Sequence, residues 1–168
     1  IIIKEGLLKT NASIGNALVD MYAKCGKLKK AKELFDELPA KDVVSWNMII
    51  SGYAQHGLDD EVLSALGSMQ QEGVIPDAST FLYMLKACGN IVAINTGKEI
   101  HDAIIMEDLI KNNNAVGNAL IDMYGKYNRI YSATSIFNDM SKRDSITWNA
   151  IIAVHTLHGE GSKAFAYF

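Results

Sequence analysis

The chain has 168 residues, 49% of them hydrophobic, and a formal net charge of −3 at pH 7. This acidic balance gives no overall attraction for polyanions, because non-specific affinity for nucleic acid comes mainly from the neutralisation of phosphates. No apolar run approaches the roughly 18 residues that a membrane helix needs, so we expect no membrane partner. Cys25 and Cys88 are predicted to be small buried apolar side chains of a reduced compartment, and neither a disulfide nor a metal pair.

The sequence repeats itself at a fixed interval. Residues 15–22 read GNALVDMY, and 102 residues later 117–124 read GNALIDMY. Such self-similarity marks stacked supersecondary units. Similar openings near Asn47 and Leu82 divide the interval into steps of 31, 35 and 36 residues. The chain is therefore predicted to hold the end of one unit, four whole units and part of a sixth, at 1–11, 12–42, 43–77, 78–113, 114–144 and 145–168.

Unit 12–42 is predicted to be a helical hairpin. Apolar residues recur at helical spacing over about 15–25, and Gly26 can close this first helix in a left-handed conformation. A second apolar stripe runs from Leu28 to Leu38, and Pro39 stops the helix that carries it.

Unit 43–77 follows the same plan, and 145–168 opens in the same way. Trp46 and Trp148 lie in the first helices of these two units. Gly57 is predicted to end the first helix of 43–77, and Asp59 to be the N-cap of the second.

Unit 78–113 departs most from the pattern. Its predicted N-cap is Ser79 or Thr80, and a looser turn is predicted around 89–90. A second helix follows, with Ile100 on its apolar side and a polar tail behind it.

Each predicted hairpin has apolar residues on more than one side. A free pair of helices could not bury them, so neighbouring hairpins must stack. The fold class is therefore predicted to be all-α, a right-handed α-solenoid of stacked helix-turn-helix repeats, in which one helix of each pair lines a concave surface.

These motifs closely resemble those of the pentatricopeptide repeat family, over the whole chain. The segments that carry the resemblance are GNALVDMYAKCG at 15–26, FDELP at 35–39, VSWN at 44–47, LKAC at 85–88 and GKEIH at 97–101. The rotation of unit lengths resembles the plant class that alternates P-, L- and S-type repeats. In those terms 1–11 is the tail of an L-type repeat, 12–42 and 114–144 are S-type, 43–77 and the truncated 145–168 are P-type, and 78–113 is L-type.

The resemblance implies recognition of single-stranded RNA in a mitochondrion or chloroplast, with one base presented to two or three side chains of each hairpin. In the family, the fifth and the last residue of a repeat read the base. Carried over, the pairs are Asn16 with Asp42, Asn47 with Asp77, Leu82 with Asn113, and Asn118 with Asp144, while Asn149 has no second member in the chain. An amide both donates and accepts, and a carboxylate can hold it in one orientation. Because Asn with Asp favours pyrimidines in the family, the expected RNA is pyrimidine-rich.

Two further roles are carried over from the family. The residue three before each base-reading position wedges between bases in relatives, and Val44 and Ile146 suit such stacking. Lys24 and Lys126 hold equal places at the end of a first helix, where relatives contact phosphate. Because few units carry such a lysine, we expect a shallow salt dependence, of about one to two phosphates.

These assignments have structural alternatives. An Asn in the first turn of a helix often serves only as a cap or as a hydrogen bond between helices. The basic residues near 24–32 and 126–143 equally fit a solvated helix face.

The sequence carries no recognisable catalytic or metal site. Some relatives end in a domain that resembles cytidine deaminases, which need His-x-Glu and Pro-Cys-x-x-Cys, and neither motif is present. No Cys, Asp or Glu joins His155 and His158 at ligand spacing, so the histidines are expected at the surface or between units. We therefore predict a protein that is not an enzyme, with no metal and no cofactor.

The predicted function is sequence-specific binding of single-stranded RNA for organellar RNA editing, processing or translation. Other organellar RNA-processing or ribosomal proteins are possible further partners. One alternative is a structural subunit of an organellar ribonucleoprotein such as the mitochondrial ribosome. Another is a protein-binding scaffold of the tetratricopeptide kind, whose uniform step of about 34 residues does not match the steps seen here.

Overall fold

The computed structural model describes residues 12–168, so the predicted tail 1–11 lies outside it. The regular elements in this range are eleven α-helices: α1 (Ala12–Lys24), α2 (Leu28–Asp36), α3 (Val43–Gln55), α4 (Asp59–Gln71), α5 (Ala78–Ile91), α6 (Ile94–Met106), α7 (Leu109–Asn112), α8 (Asn114–Lys126), α9 (Ile130–Asp139), α10 (Ser145–Leu157) and α11 (Gly161–Tyr167). Within 12–168, none of these helices combines the length and the apolarity needed to cross a membrane.

The chain divides into two compact units, with the division between Tyr83 and Met84 inside α5. In the first unit, α1 packs against α2 and α3, and α3 packs against α4. In the second unit, α8 packs against α9 and α10, and α10 packs against α11. The first helix of a hairpin thus contacts both its own partner and the first helix of the next hairpin. The prediction of an all-α chain of stacked helix-turn-helix repeats is confirmed.

Residues in the left-handed conformation follow the first helices of the hairpins. Gly26, which the sequence predicts in this conformation, has φ +71° after α1, and Gly57, predicted only to end its helix, has φ +70° after α3. Asn128, 102 residues after Gly26, takes φ +55° after α8. Asn tolerates this region better than most side chains, so the turn keeps its geometry without glycine.

An aromatic pair joins the second helix of one hairpin to the first helix of the next. The ring centroids of Phe35 and Trp46 lie 4.7 Å apart in an edge-to-face arrangement. Phe137 and Trp148, 102 residues further on, repeat it at 4.9 Å. Such pairs contribute about 0.5–1.5 kcal/mol beyond their buried area, so the contact between neighbouring hairpins recurs along with the sequence.

The predicted N-cap of α4 is wrong. Leu58 occupies the cap position without a side-chain bond, and Asp59 is the first helical residue, followed by Asp60 and Glu61. These acids stabilise the N-terminus through the helix dipole rather than through a cap.

The predicted turn at 89–90 is also wrong. Both residues lie inside α5, and the chain turns at Val92, which has φ +56°. A Cβ at Gly89 would lie 3.1 Å from the Cδ of Lys126. This glycine therefore permits close packing of a helix and does not mark its end.

The two cysteines differ in environment. Cys88 is buried, as predicted, whereas Cys25 is exposed. The prediction for Cys25 is wrong because α1 ends at Lys24, which places the thiol in the turn rather than on the apolar side of the helix.

Candidate nucleic-acid interface

A capping arrangement recurs where one predicted unit meets the next. The Asp42 carboxylate accepts a hydrogen bond from the Ser45 N–H, and the Ser45 hydroxyl oxygen accepts one from the Asp42 N–H, both at 2.8 Å. The same reciprocal bonds join Asp77 with Thr80 and Asp144 with Thr147. Each box satisfies donors that the start of a helix leaves unpaired.

Asp77, rather than Ser79 or Thr80, caps α5. The helix begins at Ala78, and the Asp77 carboxylate accepts from the Thr80 N–H at 2.9 Å. The predicted cap is wrong by two or three residues because an acid directly before the helix satisfies the N–H of Thr80. The spacing of an acid followed three residues later by Ser or Thr was the available signal.

Asn47 lies in the first turns of α3 and is bonded on both sides of its amide. Its Nδ2 donates to Asp77 Oδ1 at 3.0 Å, and its Oδ1 accepts from the Thr80 hydroxyl at 2.7 Å. The residue is half-buried, whereas Asp77 is exposed. The amide is therefore held in one orientation at the surface.

Asn118 makes a longer version of this contact on α8. Its Nδ2 lies 3.5 Å from Asp144 Oδ1, and its Oδ1 is buried without a hydrogen-bond partner. Asn114 donates to the other carboxylate oxygen of Asp144 at 3.3 Å. Asn114, one turn before Asn118 on the same helix, therefore also belongs to this cluster. Sequence spacing did not identify it, because the resemblance assigns a role only to the fifth and last residues of a repeat.

The other Asn–Asp pair is not joined in this way. Asn16 is half-buried on α1 and Asp42 is exposed. Within the described part of the chain, Asp42 bonds to Ser45 and its own helix, and no hydrogen bond links it to Asn16. The structure thus joins two of the three complete Asn–Asp pairs.

The remaining positions assigned to base reading have different surroundings. Leu82 is half-buried on α5, and Asn149 is exposed on α10. Asn113 is the N-cap of α8, where its Oδ1 accepts from the N–H groups of Ala115 and Val116 at 3.1 and 3.3 Å. Its amide oxygen is therefore committed to the backbone, and only its Nδ2 remains to contact a ligand.

Hydrogen bonds keep the carboxylates of Asp42 and Asp77, the last residues of their repeats, ionised. Burial raises the pKa of Asp77, but bonds from the Thr80 N–H and the Asn47 amide outweigh it, so the pKa lies below the usual 3.8. The N–H of Ser45 lowers the pKa of Asp42 in the same way. An ionised carboxylate only accepts, so Asp77 must face the NH₂ side of the Asn47 amide.

Val44 and Ile146 each lie near a capping aspartate in the sequence, two residues after Asp42 and Asp144. They are 50% and 63% exposed, respectively, on the first turns of α3 and α10. Aliphatic side chains left open to solvent at equivalent positions could contact the face of a base.

Lys24 and Lys126 are paired with acids of their own helices. Lys24 Nζ lies 2.7 Å from Asp20, and Lys126 Nζ lies 2.9 Å from Asp122. Both lysine side chains remain accessible, at 61% and 40% exposure. Each neighbouring carboxylate offsets part of the attraction for a phosphate, which supports a shallow salt dependence.

Two histidines join neighbouring hairpins. His56 Nε2 bonds the carbonyl oxygen of Ala23, and His158 Nε2 bonds that of Gly125. These contacts agree with the expectation of histidines between units. No group of three or more His, Cys, Asp or Glu in 12–168 is arranged to hold a metal ion.

Comparison with protein families gives matches along most of the chain. The model described as PPR repeat family matches residues 41–90. The model described as PPR repeat matches 16–43, 118–145 and 146–168.

Similar proteins occur in Arabidopsis thaliana. Pentatricopeptide repeat-containing protein At4g30700 is 37% identical over 159 residues, which are 95% of this chain and 20% of that protein. At3g13770, a protein of the same kind that is named as mitochondrial, is 37% identical over 155 residues, 92% of this chain and 24% of its own. The chain spans about a fifth to a quarter of the length of these curated relatives.

Solved structures with a similar fold include the pentatricopeptide repeat protein PPR10 from maize. Its crystal structure matches with a TM-score of 0.70 and 17% identity, over 99% of this chain and 25% of that one. The crystal structure of PPR10 in complex with an 18-nt psaJ RNA element matches with a TM-score of 0.66 and 14% identity, over 98% and 26%. At these identities the likeness shows the fold alone.

Proposed function

Because the chain belongs to the pentatricopeptide repeat family, we propose that it binds single-stranded RNA through its repeats and selects pyrimidines with Asn side chains. The observation that carries this proposal is the Asn47–Asp77 pair, in which an accessible carboxylate holds an amide at a repeat boundary. Asn118 and Asp144 repeat it in the second compact unit. PPR10, which has the same fold, was crystallised with RNA.

The chemistry of the amide supports the choice of a base as ligand. Asn47 uses one N–H on Asp77 and one oxygen lone pair on Thr80, which leaves one donor and one acceptor. Uracil presents its N3–H beside carbonyl oxygens on its Watson–Crick edge, and this edge is open to a protein in single-stranded RNA but is paired in a duplex. Leu82 cannot form such bonds, so the pyrimidine register is interrupted at repeat 78–113.

The proposed biological setting is inferred from the family. A relative named as mitochondrial favours an organelle, mitochondrion or chloroplast. There the chain would select a transcript segment for editing, processing or translation.

Equilibrium binding to short RNAs tests the proposal. Fluorescence anisotropy would compare labelled single-stranded oligomers of uridine, cytidine and adenosine, with duplex RNA as the control for charge alone. We expect both pyrimidine oligomers to bind more tightly than the adenosine oligomer and duplex RNA. A plot of the logarithm of Kd against the logarithm of salt concentration should have a slope of about one to two.

Two results would contradict the proposal. Equal affinity for all four RNAs with a steep salt slope would indicate contacts with phosphate only. No RNA binding at all, in a protein that is folded by circular dichroism, would favour a protein-binding scaffold.

A further inference from the structure

Thr80 is a buried hydroxyl residue that lies between the two members of the Asn47–Asp77 pair. Its side chain is 0% exposed. Its Oγ1 lies 2.7 Å from Asn47 Oδ1 and 3.0 Å from Asp77 Oδ1. A hydroxyl group has one proton and can donate it to only one of these oxygens.

The surrounding bonds identify the oxygen that receives the proton. Asp77 Oδ1 already accepts from the Thr80 N–H at 2.9 Å and from Asn47 Nδ2 at 3.0 Å. Asn47 Oδ1 receives no other donor in the described part of the chain, and it is also the nearer acceptor. The hydroxyl therefore donates to Asn47, while its own oxygen accepts from the Asp77 N–H at 3.2 Å.

This bond fixes both ends of the Asn47 amide. The carboxylate can only accept, so it takes the NH₂ end, and the hydroxyl donates to the oxygen end. With Asp77 alone, the amide could pivot about a single hydrogen bond. With Thr80 as well, the donor and acceptor left for a ligand point in set directions.

Thr147 is the equivalent residue in the second compact unit, and it lacks this contact. It forms the same capping box, is also 0% exposed, and donates from Oγ1 to Asp144 Oδ1 at 3.0 Å. Asn118 Oδ1 has no partner there. The two positions thus share a structural role and differ in their contact with the amide.

We propose that Thr80, a residue of the following repeat, determines base specificity at Asn47 by fixing the orientation of its amide. The proposal rests on the proposed function, since it assumes that Asn47 contacts a base. Since the amide oxygen of Asn118 has no such bond, Asn118 is expected to select its base less strictly than Asn47.

The test compares Thr80→Val and Thr147→Val in the full 168-residue chain. Each variant loses the hydroxyl of a capping box, and only the first loses a bond to a base-reading amide. RNA with every position randomised would be bound and sequenced, which reports the preference at each nucleotide separately from total affinity. We expect T80V to reduce the preference for pyrimidine at one nucleotide by about two- to tenfold, which corresponds to one hydrogen bond, while T147V leaves every preference unchanged.

Thr80→Ser is the rescue variant because it keeps the hydroxyl, and it should retain the wild-type preference. If T80V does not fold, Thr80→Ala removes the same hydroxyl without placing a methyl group against the Asp77 carboxylate. Unchanged base preference in the folded hydroxyl-less variant, or an equal loss in T147V, would overturn the role of Thr80 while RNA selection by the wild type stands. Wild-type protein without any base preference would instead overturn the proposed function, and this inference with it.

Discussion

The backbone of Gly52 approaches Ala23 so closely that a Cβ on the glycine would lie 2.6 Å from the Cβ of Ala23. These residues join α3 to α1, the first helices of neighbouring hairpins. The same contact occurs 102 residues later, but there the glycine is on the other helix of the pair. A Cβ on Gly125 would lie 2.6 Å from Val154 Cγ2. One partner of each pair must be glycine for the helices to stack at this distance.

Gly52→Ala is expected to destabilise the protein despite a gain in helix propensity. The gain is about 1 kcal/mol, whereas overpacking costs about 1–3 kcal/mol. Urea denaturation followed by circular dichroism would measure the difference. Gly67→Ala is the matched control, because Gly67 is also inside a helix and nothing lies within 4 Å of its Cβ position.

G67A should therefore be neutral or stabilising. Adding Ala23→Gly to G52A should restore part of the lost stability, since it removes the methyl group that clashes. A G52A variant as stable as G67A would refute the close contact between these helices.

Removal of His56 is expected to weaken the joint between the first two described hairpins. His56→Ala leaves the Ala23 carbonyl without the bond that Nε2 makes at 3.0 Å. A net loss of about 0.5–1.5 kcal/mol in the free energy of unfolding should follow. His158→Ala should lose a similar amount, because His158 makes the same bond to Gly125 at 2.9 Å. Unaltered stability in both variants would argue against these bonds.

The two thiols should react at very different rates. Cys25 is exposed, whereas burial raises the pKa of Cys88 to about 11, so almost none of the reactive thiolate is present at neutral pH. In native protein, one thiol per molecule should react rapidly with a thiol reagent, and the second should react only in denaturant. Rapid reaction of Cys25→Ser in its native state would contradict the burial of Cys88.

The protein should lose stability in acid through its capping carboxylates. The pKa values of Asp42 and Asp77 lie below the usual 3.8 in the folded state. Their contribution is therefore complete above about pH 5 and is lost as the pH falls through the folded-state values. Chemical denaturation across this range would measure it, and Asp77→Asn should show a shallower dependence than the wild type. Identical pH profiles for the two proteins would exclude Asp77 from this effect.

The repeat interval was sufficient to predict the helical hairpins and their stacking. The Gly26 turn and the apolar stripes of the helices are local patterns, and the structure contains them. Gly89 and Gly52 show the limit of such patterns. Each is a glycine inside a helix, where it allows a neighbouring helix to pack closely. The need for glycine at such a position is set by a residue of the neighbouring helix, which is far away in the sequence.

The candidate site was predictable in its positions but not in its contacts. The resemblance to the family paired Asn47, the fifth residue of repeat 43–77, with Asp77, its last, and the structure joins them. The spacing of Asp77 and Thr80 fits a capping box, so the cap of α5 was open to prediction. The bond from the Thr80 hydroxyl to the Asn47 amide was not, since it depends on side-chain rotamers. Asn113 illustrates the competing principle, because a polar residue before a helix satisfies the backbone first. Its role in base reading, like that of the other assigned residues, stays a prediction.

Base reading by Asn47 is tested most directly by a change in base preference at a single nucleotide. Asn47→Thr would be compared with the wild type and with Asn95→Thr, the same substitution at an exposed position on α6, by sequencing of bound RNA from a randomised pool. If Asn47 reads a base, N47T shifts preference toward purine at one nucleotide and leaves the others unchanged, while N95T matches the wild type. If N47T selects the same bases as the wild type at every position, Asn47 does not contact a base and the proposed mode of RNA selection is wrong.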